Sequence, residues 1–383
     1  MNPLPVIKTP APHPMIVEGK IVKRVKEGYP LYTLSQLMQL EDSPDRWILR
    51  DMIPRAGRTV AYGIGGDFKT TTLLDLALSI ASAGQMLESI PLQCYGPVIV
   101  LSTEGDIYAN RDRFLYYIKS RNLHPDNVQI AFGQRRLRLD LAEGFSVLEQ
   151  MVQAIRPIFI LLDPYVSFFS GDENSTRDAS MFVEHLDDLI QRYRVSVCLI
   201  HHSNKVGAMR GSTVIQGWAD SILKFEVKRG VHLPGVPRKV DILSVKGEKQ
   251  RNGRMGQLFS AVPVIDSDAQ MTRLAYYMDK NTTEVVVTFL RMEVYKYLRK
   301  CPQGTGLLKK DLCKLFSVGN DKMTMALDQL EAVKLISQDA PLNRNGRAYL
   351  GYRAAPGGAK VDAVKAMLKL SEDNAQLLVP INE

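Results

Sequence analysis

Short apolar runs recur through the first two thirds of the chain and alternate with longer stretches of helical periodicity. Four such runs lie at residues 98–101, 128–131, 158–162 and 195–200. The first and third are entirely apolar, and the second and fourth each contain one polar residue. Continuous apolar character is typical of strands that are covered on both faces. With a further strand pattern at residues 58–62, the alternation predicts an α/β fold with a mostly parallel, doubly wound sheet.

Polar residues follow three of these runs directly. Ser102 and Glu104 come after the first run, Asp163 after the third, and His201 with His202 after the fourth. In open α/β sheets, ligands bind at the carboxyl ends of the strands. We therefore expect these side chains to meet at one edge of the sheet and to form a binding site there.

A glycine-bearing loop at residues 61–71 has the spacing of the phosphate-binding template G-x-x-x-x-G-K-[ST], except that Phe68 replaces the second glycine. Backbone N–H groups of such a loop wrap the phosphates, and its lysine reaches the outer ones. A strand before the loop and a helix over residues 70–83, ended by Gly84, provide the required context. A glycine-rich turn before a core helix is the plainer interpretation. The predicted nucleotide contacts are Gly63, Gly65, Gly66, Asp67, Phe68, Lys69, Thr70 and Thr71.

The strand-end residues are assigned roles by their chemistry. Asp163 and the Thr70 hydroxyl are expected to hold Mg²⁺, and Glu104 is expected to orient or deprotonate the attacking water. Either carboxylate could instead cap a helix. His201 and His202 are candidates for sensing the γ-phosphate or contacting nucleic acid, or for a structural role.

Two later segments carry cations near glycines. Residues 204–212 include the candidate DNA contacts Lys205, Arg210, Gly211 and Ser212, although an ordinary solvated loop would look similar. Strands are predicted at residues 222–227 and 240–245. They are followed at 246–253 by a cationic hairpin tip that either binds phosphate or closes a turn.

The charge balance adds a modest indication of the partner. The chain of 383 residues has 49 basic and 41 acidic residues, a net charge of +8 and a pI near 9.1, which favours a polyanionic partner. The four cysteines show no metal-binding spacing. No apolar stretch approaches the roughly 18 residues of a membrane span. We therefore expect a cytoplasmic protein with no membrane partner.

The C-terminal third has a different pattern. Helices are predicted at 287–298, 307–316 and 320–333, followed by two strands around residues 343–347, and this order resembles a winged helix-turn-helix. It carries a basic edge, yet its third helix also carries Asp328 and Glu331, so both DNA and protein remain possible partners. The basic edge consists of Lys309, Lys310, Lys322, Arg344 and Arg347.

The pattern divides the chain into four predicted parts. A Pro-rich leader with a short helix at 33–40 occupies residues 1–45, and the ATPase core occupies 46–280. The winged helix occupies 285–355, and a tail with one short helix occupies 356–383.

Residues 47–263 resemble the RecA-like hexameric ATPases and, within them, the plasmid-type RepA and DnaB-like replicative DNA helicases. The motifs that carry the resemblance are the phosphate loop, residues 102–105, the strand ending in Asp163, residues 171–178, the histidine pair, residues 210–212 and residues 249–253.

The resemblance implies a catalytic role for several residues. Glu104 would activate water, with Lys69 and Asp163 in the same site. The strand-end histidine would couple the γ-phosphate to DNA-binding loops. Lys249 and Arg251 would reach into a neighbouring subunit's site, and Arg113 would stack near the base.

The leading hypothesis is therefore an ATP- and Mg²⁺-dependent DNA helicase or translocase, acting as a replicative helicase of a mobile element. Its expected partners are single-stranded DNA, further copies of the chain in a hexameric ring, and replication proteins at the winged helix. Two alternatives are a RecA-like recombination mediator or helicase loader, and a winged-helix DNA-binding regulator with a degenerate nucleotide site.

Overall fold

The computed structural model describes residues 16–17, 20–21, 34–39, 46–82, 92–204, 207–265, 271–302, 305–344 and 347–355. The chain divides into two compact units, residues 1–44 and 45–383. Most of the predicted Pro-rich leader, the tail, Gly84 and Lys205 lie outside the described residues. In the first unit, a short antiparallel strand pair and a helix over Leu34–Met38 are described, where a helix over 33–40 was expected.

The described elements follow one another along the chain. The strands are β1 (Ile16–Val17), β2 (Lys20–Ile21), β3 (Trp47–Leu49), β4 (Ile53–Pro54), β5 (Arg58–Gly63), β6 (Val98–Ser102), β7 (Ile130–Gly133), β8 (Phe159–Asp163), β9 (Ser196–His202), β10 (Ser221–Val231), β11 (Val240–Gln250), β12 (Gly256–Ile265), β13 (Met271–Met278), β14 (Ile336–Arg344) and β15 (Arg347–Ala354). The helices are α1 (Leu34–Met38), α2 (Lys69–Ala81), α3 (Ile107–Ser120), α4 (Ala142–Ile155), α5 (Thr176–Tyr193), α6 (Thr213–Trp218), α7 (Thr282–Lys300), α8 (Lys309–Leu315) and α9 (Asn320–Ala332).

A large sheet forms the centre of the second unit. In the described part of the chain its strand order is β13-β12-β11-β10-β5-β9-β8-β6-β7. The six strands from β10 to β7 are parallel, and β11, β12 and β13 extend the sheet in antiparallel fashion. The predicted α/β class with a mostly parallel sheet is confirmed.

Two of the predicted elements are shifted. The run at 128–131 begins after a 3₁₀ turn at Pro125–Asn127, so its strand is Ile130–Gly133. The predicted hairpin tip at 246–253 was placed too early, because β11 continues to Gln250 through its pairing with β10. The cations Lys246 and Lys249 therefore lie within a strand, and only the residues after Gln250 form the turn.

Helices cover both faces of the sheet. On one face, α2 packs over β5, β6 and β8, and on the other face α4, α5 and α6 form a second apolar layer. The central strands β6 and β8 are fully buried between these layers, which explains why their sequences are continuously apolar.

A buried ion pair joins α2 to the end of α3, and a hydrogen bond connects it to the antiparallel part of the sheet. Asp75 of α2 is 1% exposed and pairs with the guanidinium of Arg121, whose side chain is 8% exposed. The Tyr276 hydroxyl in β13 donates to the other oxygen of Asp75 at 2.5 Å, and Arg121 also donates to Ser79 at 2.6 Å. Because both charges are desolvated, each depends on the other for compensation.

The C-terminal elements pack around a shared helix. The first turns of α7 contribute Val286 and Phe289 to an apolar cluster with β11 and β12, while Leu290 and Val294 pack against α9. The antiparallel pair β14–β15 follows α9, an arrangement compatible with the predicted winged helix. The domain boundary at residue 285 stays a prediction, since α7 begins at 282 and belongs to both clusters.

None of the helices that the structure describes combines the length and the apolar character required to cross a membrane.

Replacing Arg121 by Met should lower the free energy of unfolding by about 3–5 kcal/mol, because Asp75 would stay buried without its cation. Urea unfolding followed by circular dichroism measures this loss. The matched control is Arg111→Met, which breaks a pair with Asp112 whose side chains are 60% and 50% exposed. That change should cost less than about 1 kcal/mol. Equal losses in the two variants would contradict a special role for the buried pair.

Candidate nucleotide site

Strand register brings the predicted residues to one edge of the sheet. Gly63 at the end of β5 pairs with His202 of β9, and Ser102 of β6 pairs with Asp163 of β8. The backbone N–H of Ser203 also donates to the Gly63 carbonyl at 3.0 Å. The start of the phosphate loop therefore lies directly beside the strand that carries the histidines.

Phe68 adopts the backbone conformation that its position requires. It precedes α2 with φ 56° and ψ 18°, in the left-handed region that favours glycine, which explains why the template has glycine there. A non-glycine residue in this region costs roughly 1–2 kcal/mol. The Phe68 ring packs against the apolar cluster under α2, and this contact offsets part of that cost.

Lys69 is held inside its own loop. Its ammonium donates to the Gly63 carbonyl at 3.0 Å and to the Ile64 carbonyl at 2.8 Å, and the residue is 5% exposed. Burial lowers the pKa of Lys69, while the carboxylates of Asp67, Glu104 and Asp163 act in the opposite direction. The loop thus presents one cation surrounded by three acidic groups.

Asp163 lies at the buried centre of this edge, with no exposed surface. Burial, followed by repulsion from Glu104, raises the pKa of Asp163 to about 6, whereas hydrogen bonds from Thr70 and Ser102 lower it. The Ser102 hydroxyl is 3.3 Å from Oδ2. Among the described residues, Oδ1 has no hydrogen-bond partner, so one acceptor stays available for a ligand or a metal-bound water.

Glu104 is paired with a histidine. Nε2 of His202 lies 3.3 Å from Oε1 of Glu104, and both side chains are partly exposed. The hydrogen bond with His202 lowers the pKa of Glu104 in spite of partial burial. A carboxylate that stays ionised beside an accessible imidazole can orient a water molecule and accept its proton.

The adjacent histidine has a different environment. His201 is 3% exposed, its Nε2 lies 2.8 Å from the Arg210 carbonyl, and its ring contacts Tyr165 edge-on. Burial lowers the pKa of His201 to about 4, so the ring is neutral and its N–H donates to that carbonyl. Consecutive strand residues point to opposite faces, and the two histidines accordingly serve two different neighbours.

In the candidate DNA loop, residues 204–212, contacts with Glu173 hold the second half in place. Gly211 has φ 76°, and an added Cβ would lie 3.0 Å from the Glu173 carbonyl. The Ser212 N–H donates to the same carbonyl at 2.8 Å, and its hydroxyl caps α6 by accepting from Val214. Arg210 is exposed and lies 3.6 Å from the Glu173 carboxylate.

Arg113 lies on α3, where it donates to Asn110 at 3.2 Å. Its charge lowers the pKa values of Glu104 and Asp163. The structure therefore places Arg113 close enough to influence the two carboxylates, and its predicted stacking near a base stays a prediction.

Lys249 and Arg251 lie toward the amino end of β5, away from the phosphate loop that follows its carboxyl end. Lys249 pairs in register with Ile222, which is opposite Val60 near the middle of β5. The backbone N–H of Arg251 donates to the carbonyl of Asp220, which lies beside Arg58, the first residue of β5. The Lys249 ammonium donates to the Gln216 and Gly217 carbonyls at 2.6 and 3.0 Å. Arg251 donates to Gly217 at 2.8 Å and pairs with Asp220 at 3.2 Å.

The sequence analysis did not single out two residues, one beside the phosphate loop and one at the opposite end of β5. Arg229 of β10 contacts the phosphate loop, and Asp220 holds both Arg251 and Arg58. Neither residue belongs to a known sequence motif. Each contacts residues that are distant in the sequence and become neighbours only through the pairing of β10 with β5. Only the strand order makes these contacts visible.

The donor set fits a nucleotide with Mg²⁺. Within the described ranges, the His, Cys, Asp and Glu side chains form no cluster of three or more that could hold a metal ion. The expected ligands Thr70 and Asp163 would hold Mg²⁺ together with phosphate oxygens and water, which suits an ion that keeps much of its hydration. The unpartnered Oδ1 of Asp163 is consistent with that arrangement.

Residues 29–208 match a family model described as an AAA domain. The matched segment is just under half of the chain and contains the phosphate loop, Glu104, Asp163 and both histidines. With the strand–loop–helix geometry, the match supports a P-loop ATPase-like domain with nucleotide-dependent activity.

None of the curated proteins compared with the chain matches it. Among solved structures, one match is a KaiC-like protein from the hyperthermophilic archaeon Pyrococcus horikoshii OT3. It is 13% identical, with a TM-score of 0.40, over 59% of this chain and 91% of that chain. A likeness of this extent supports no inference about this chain.

Replacing Asp163 by Asn should stabilise the nucleotide-free protein at about pH 8 in metal-free buffer. Folding raises the pKa of this carboxyl from 3.8 to about 6, so its ionised form destabilises the folded chain. The effect is full above the folded pKa and disappears as the pH falls through the unfolded pKa. The expected gain is on the order of 1–3 kcal/mol, since one pKa unit corresponds to about 1.4 kcal/mol. Thermal unfolding across this pH range measures it, and a gain that does not shrink toward low pH would contradict the cause given.

Proposed function

We propose that the chain is an ATP hydrolase that couples Mg²⁺-dependent hydrolysis to movement along single-stranded DNA, as a replicative helicase of the RepA-like type. One observation carries the proposal. Two consecutive residues of β9 serve two different sites: His202 contacts Glu104, and His201 contacts the Arg210 carbonyl in the candidate DNA loop. A displacement of this strand end would therefore reach both the hydrolytic carboxylate and the loop.

The hydrolytic part rests on the arrangement around Lys69. Phosphoryl transfer needs positioning and charge stabilisation more than covalent chemistry. Lys69 would neutralise the phosphates, Thr70 and Asp163 would hold Mg²⁺, and Glu104 would orient the attacking water. The lowered pKa of Glu104 keeps this carboxylate ionised and able to accept a proton.

The proposal that several copies assemble rests on the position of two cations, one late in β11 and one just after it. Lys249 and Arg251 lie toward the amino end of β5, away from the phosphate loop that follows its carboxyl end. In this proposal they act on a nucleotide held by a neighbouring copy. Both are bound by carbonyls at the end of α6, whose first residue follows the Ser212 cap. This six-residue helix therefore connects the candidate DNA loop to the cations that would enter the neighbouring site.

The C-terminal helices and the β14–β15 pair are proposed to form the winged helix that contacts DNA or replication proteins. Their basic side chains include Lys310 and Lys314, both exposed on α8. The net charge of +8 is consistent with a nucleic-acid partner.

Single-stranded DNA should stimulate ATP hydrolysis by the wild-type protein. Glu104→Gln should still bind nucleotide and should lose on the order of 100-fold or more in hydrolysis rate. Lys69→Ala should lose both binding and hydrolysis. The control is Glu143→Gln, which removes an exposed carboxylate from α4. Phosphate release and a fluorescent nucleotide titration measure the two effects.

The same preparation separates the alternatives. Strand displacement on forked DNA identifies a helicase, whereas stimulated hydrolysis without displacement favours a mediator or loader. Duplex binding without any hydrolysis favours a winged-helix regulator. If single strands do not stimulate the wild type, the proposal of a DNA motor is wrong.

Mixing two inactive variants should restore hydrolysis if Arg251 acts on a neighbouring subunit. Arg251→Ala keeps an intact phosphate loop, and Lys69→Ala keeps an intact Arg251. Random assembly would therefore rebuild about a quarter of the subunit interfaces. Arg254→Ala, which removes an exposed cation from the same turn, is the control and should keep its activity. A mixture as inactive as its components would contradict an action between subunits.

A further inference from the structure

Asp67 is an unusual component of a loop that is expected to bind phosphates. Its side chain is 7% exposed, and Oδ2 accepts from the Ile64 N–H at 3.2 Å. Ile64 is one of the loop residues whose N–H groups would otherwise be available to a phosphate. The carboxylate therefore adds negative charge to the loop and occupies one of its donors.

Arg229 supplies the cation that faces this carboxylate. Its NH2 group lies 3.3 Å from Oδ1 of Asp67 and 3.4 Å from the Gly66 carbonyl. Its NH1 group pairs with Asp241 of β11 at 3.0 Å, and Asp241 also accepts from the Gly230 N–H. The guanidinium is thus anchored on the sheet at one end and contacts the loop with the other.

The surroundings place the pair beside the space that a nucleotide would enter. A cavity of 240 Å³ is lined by Gly63, Asp67, Ser203, Lys224 and Arg229, among others. Burial raises the pKa of Asp67, and Lys69 and Arg229 are among the groups that oppose this rise. Since Lys69 is needed for the phosphates, Arg229 is the cation that can remain on Asp67 when a nucleotide binds.

We infer that Arg229 is a positioning residue for nucleotide binding, which neutralises Asp67 and fixes the turn at Gly66, so that the loop accepts a polyphosphate. The inference rests on the proposed nucleotide site. Arg229 acts through Asp67 and does not itself contact the nucleotide. Its side chain is 56% exposed, so the pair contributes little to folding and its effect is on affinity.

A double-mutant cycle on the full-length chain tests this inference. Arg229→Ala should weaken ATP binding on the order of tenfold, because the carboxylate in the loop loses its cation. Asp67→Asn should bind ATP more tightly than the wild type, because the loop loses the negative charge that opposes the phosphates. In the Asp67→Asn background, Arg229→Ala should have little further effect. Titration with a fluorescent ATP analogue at fixed Mg²⁺ measures each dissociation constant.

Three further measurements separate positioning from a general structural role. The loss in Arg229→Ala should be larger for ATP than for AMP, because it arises at the phosphates. Arg229→Lys should recover part of the affinity, because an ammonium restores the charge without the two-pronged contact. Lys228→Ala, which removes the neighbouring exposed cation of β10, should bind like the wild type.

Each outcome has a definite meaning. An equal loss on Arg229→Ala in the Asp67→Asn background would show that Arg229 contacts the nucleotide directly and would overturn the inference. Wild-type affinity in Arg229→Ala would also overturn it and leave the nucleotide site intact. A wild-type chain that binds no nucleotide would instead refute the proposed function.

Discussion

The parallel pairing of β5 with β9 is the constraint on which the candidate site depends. It sets Gly63 opposite His202 and continues into the hydrogen bond from Ser203 to the Gly63 carbonyl. A shift of the register by one residue would exchange the faces of His201 and His202. His202 would then lose its contact with Glu104, and His201 would lose its hydrogen bond with the Arg210 carbonyl. The apolar packing of β9 on both faces therefore stabilises the site as well as the core.

This arrangement places an unfavourable group at the centre of the sheet edge. Asp163 is fully buried, and this burial together with repulsion from Glu104 raises its pKa to about 6. Above this pKa, the ionised carboxylate destabilises the folded chain, and such perturbed groups cluster at functional sites. The apolar layers on the two faces of the sheet stabilise the fold and offset this cost, as a protein core commonly does for a functional site.

The sequence predicts the carboxyl ends of β6, β8 and β9 well, because buried strands leave an apolar signature and the polar residues after it are visible by inspection. It ends β10 and β11 too early, because their outer parts lack that signature. Phe68 is a position that the sequence predicts only in part. The motif shows that Phe68 replaces a glycine, but only the backbone angles show that Phe68 itself adopts the left-handed conformation. The separate environments of His201 and His202 follow from strand alternation once both are known to lie within β9. Arg229 could not be predicted, because its contact with Asp67 depends on β10 lying beside β5.

The position of Lys249 and Arg251 follows from the same topology. Because β10 is parallel to β5 and β11 is antiparallel to β10, residues late in β11 return toward the start of β5, away from the phosphate loop. Within this chain the two cations are bound by the Gln216 and Gly217 carbonyls of α6 and by Asp220. A partner that bound these two cations would have to replace these contacts, so the free energy of such binding would be the difference between two sets of hydrogen bonds.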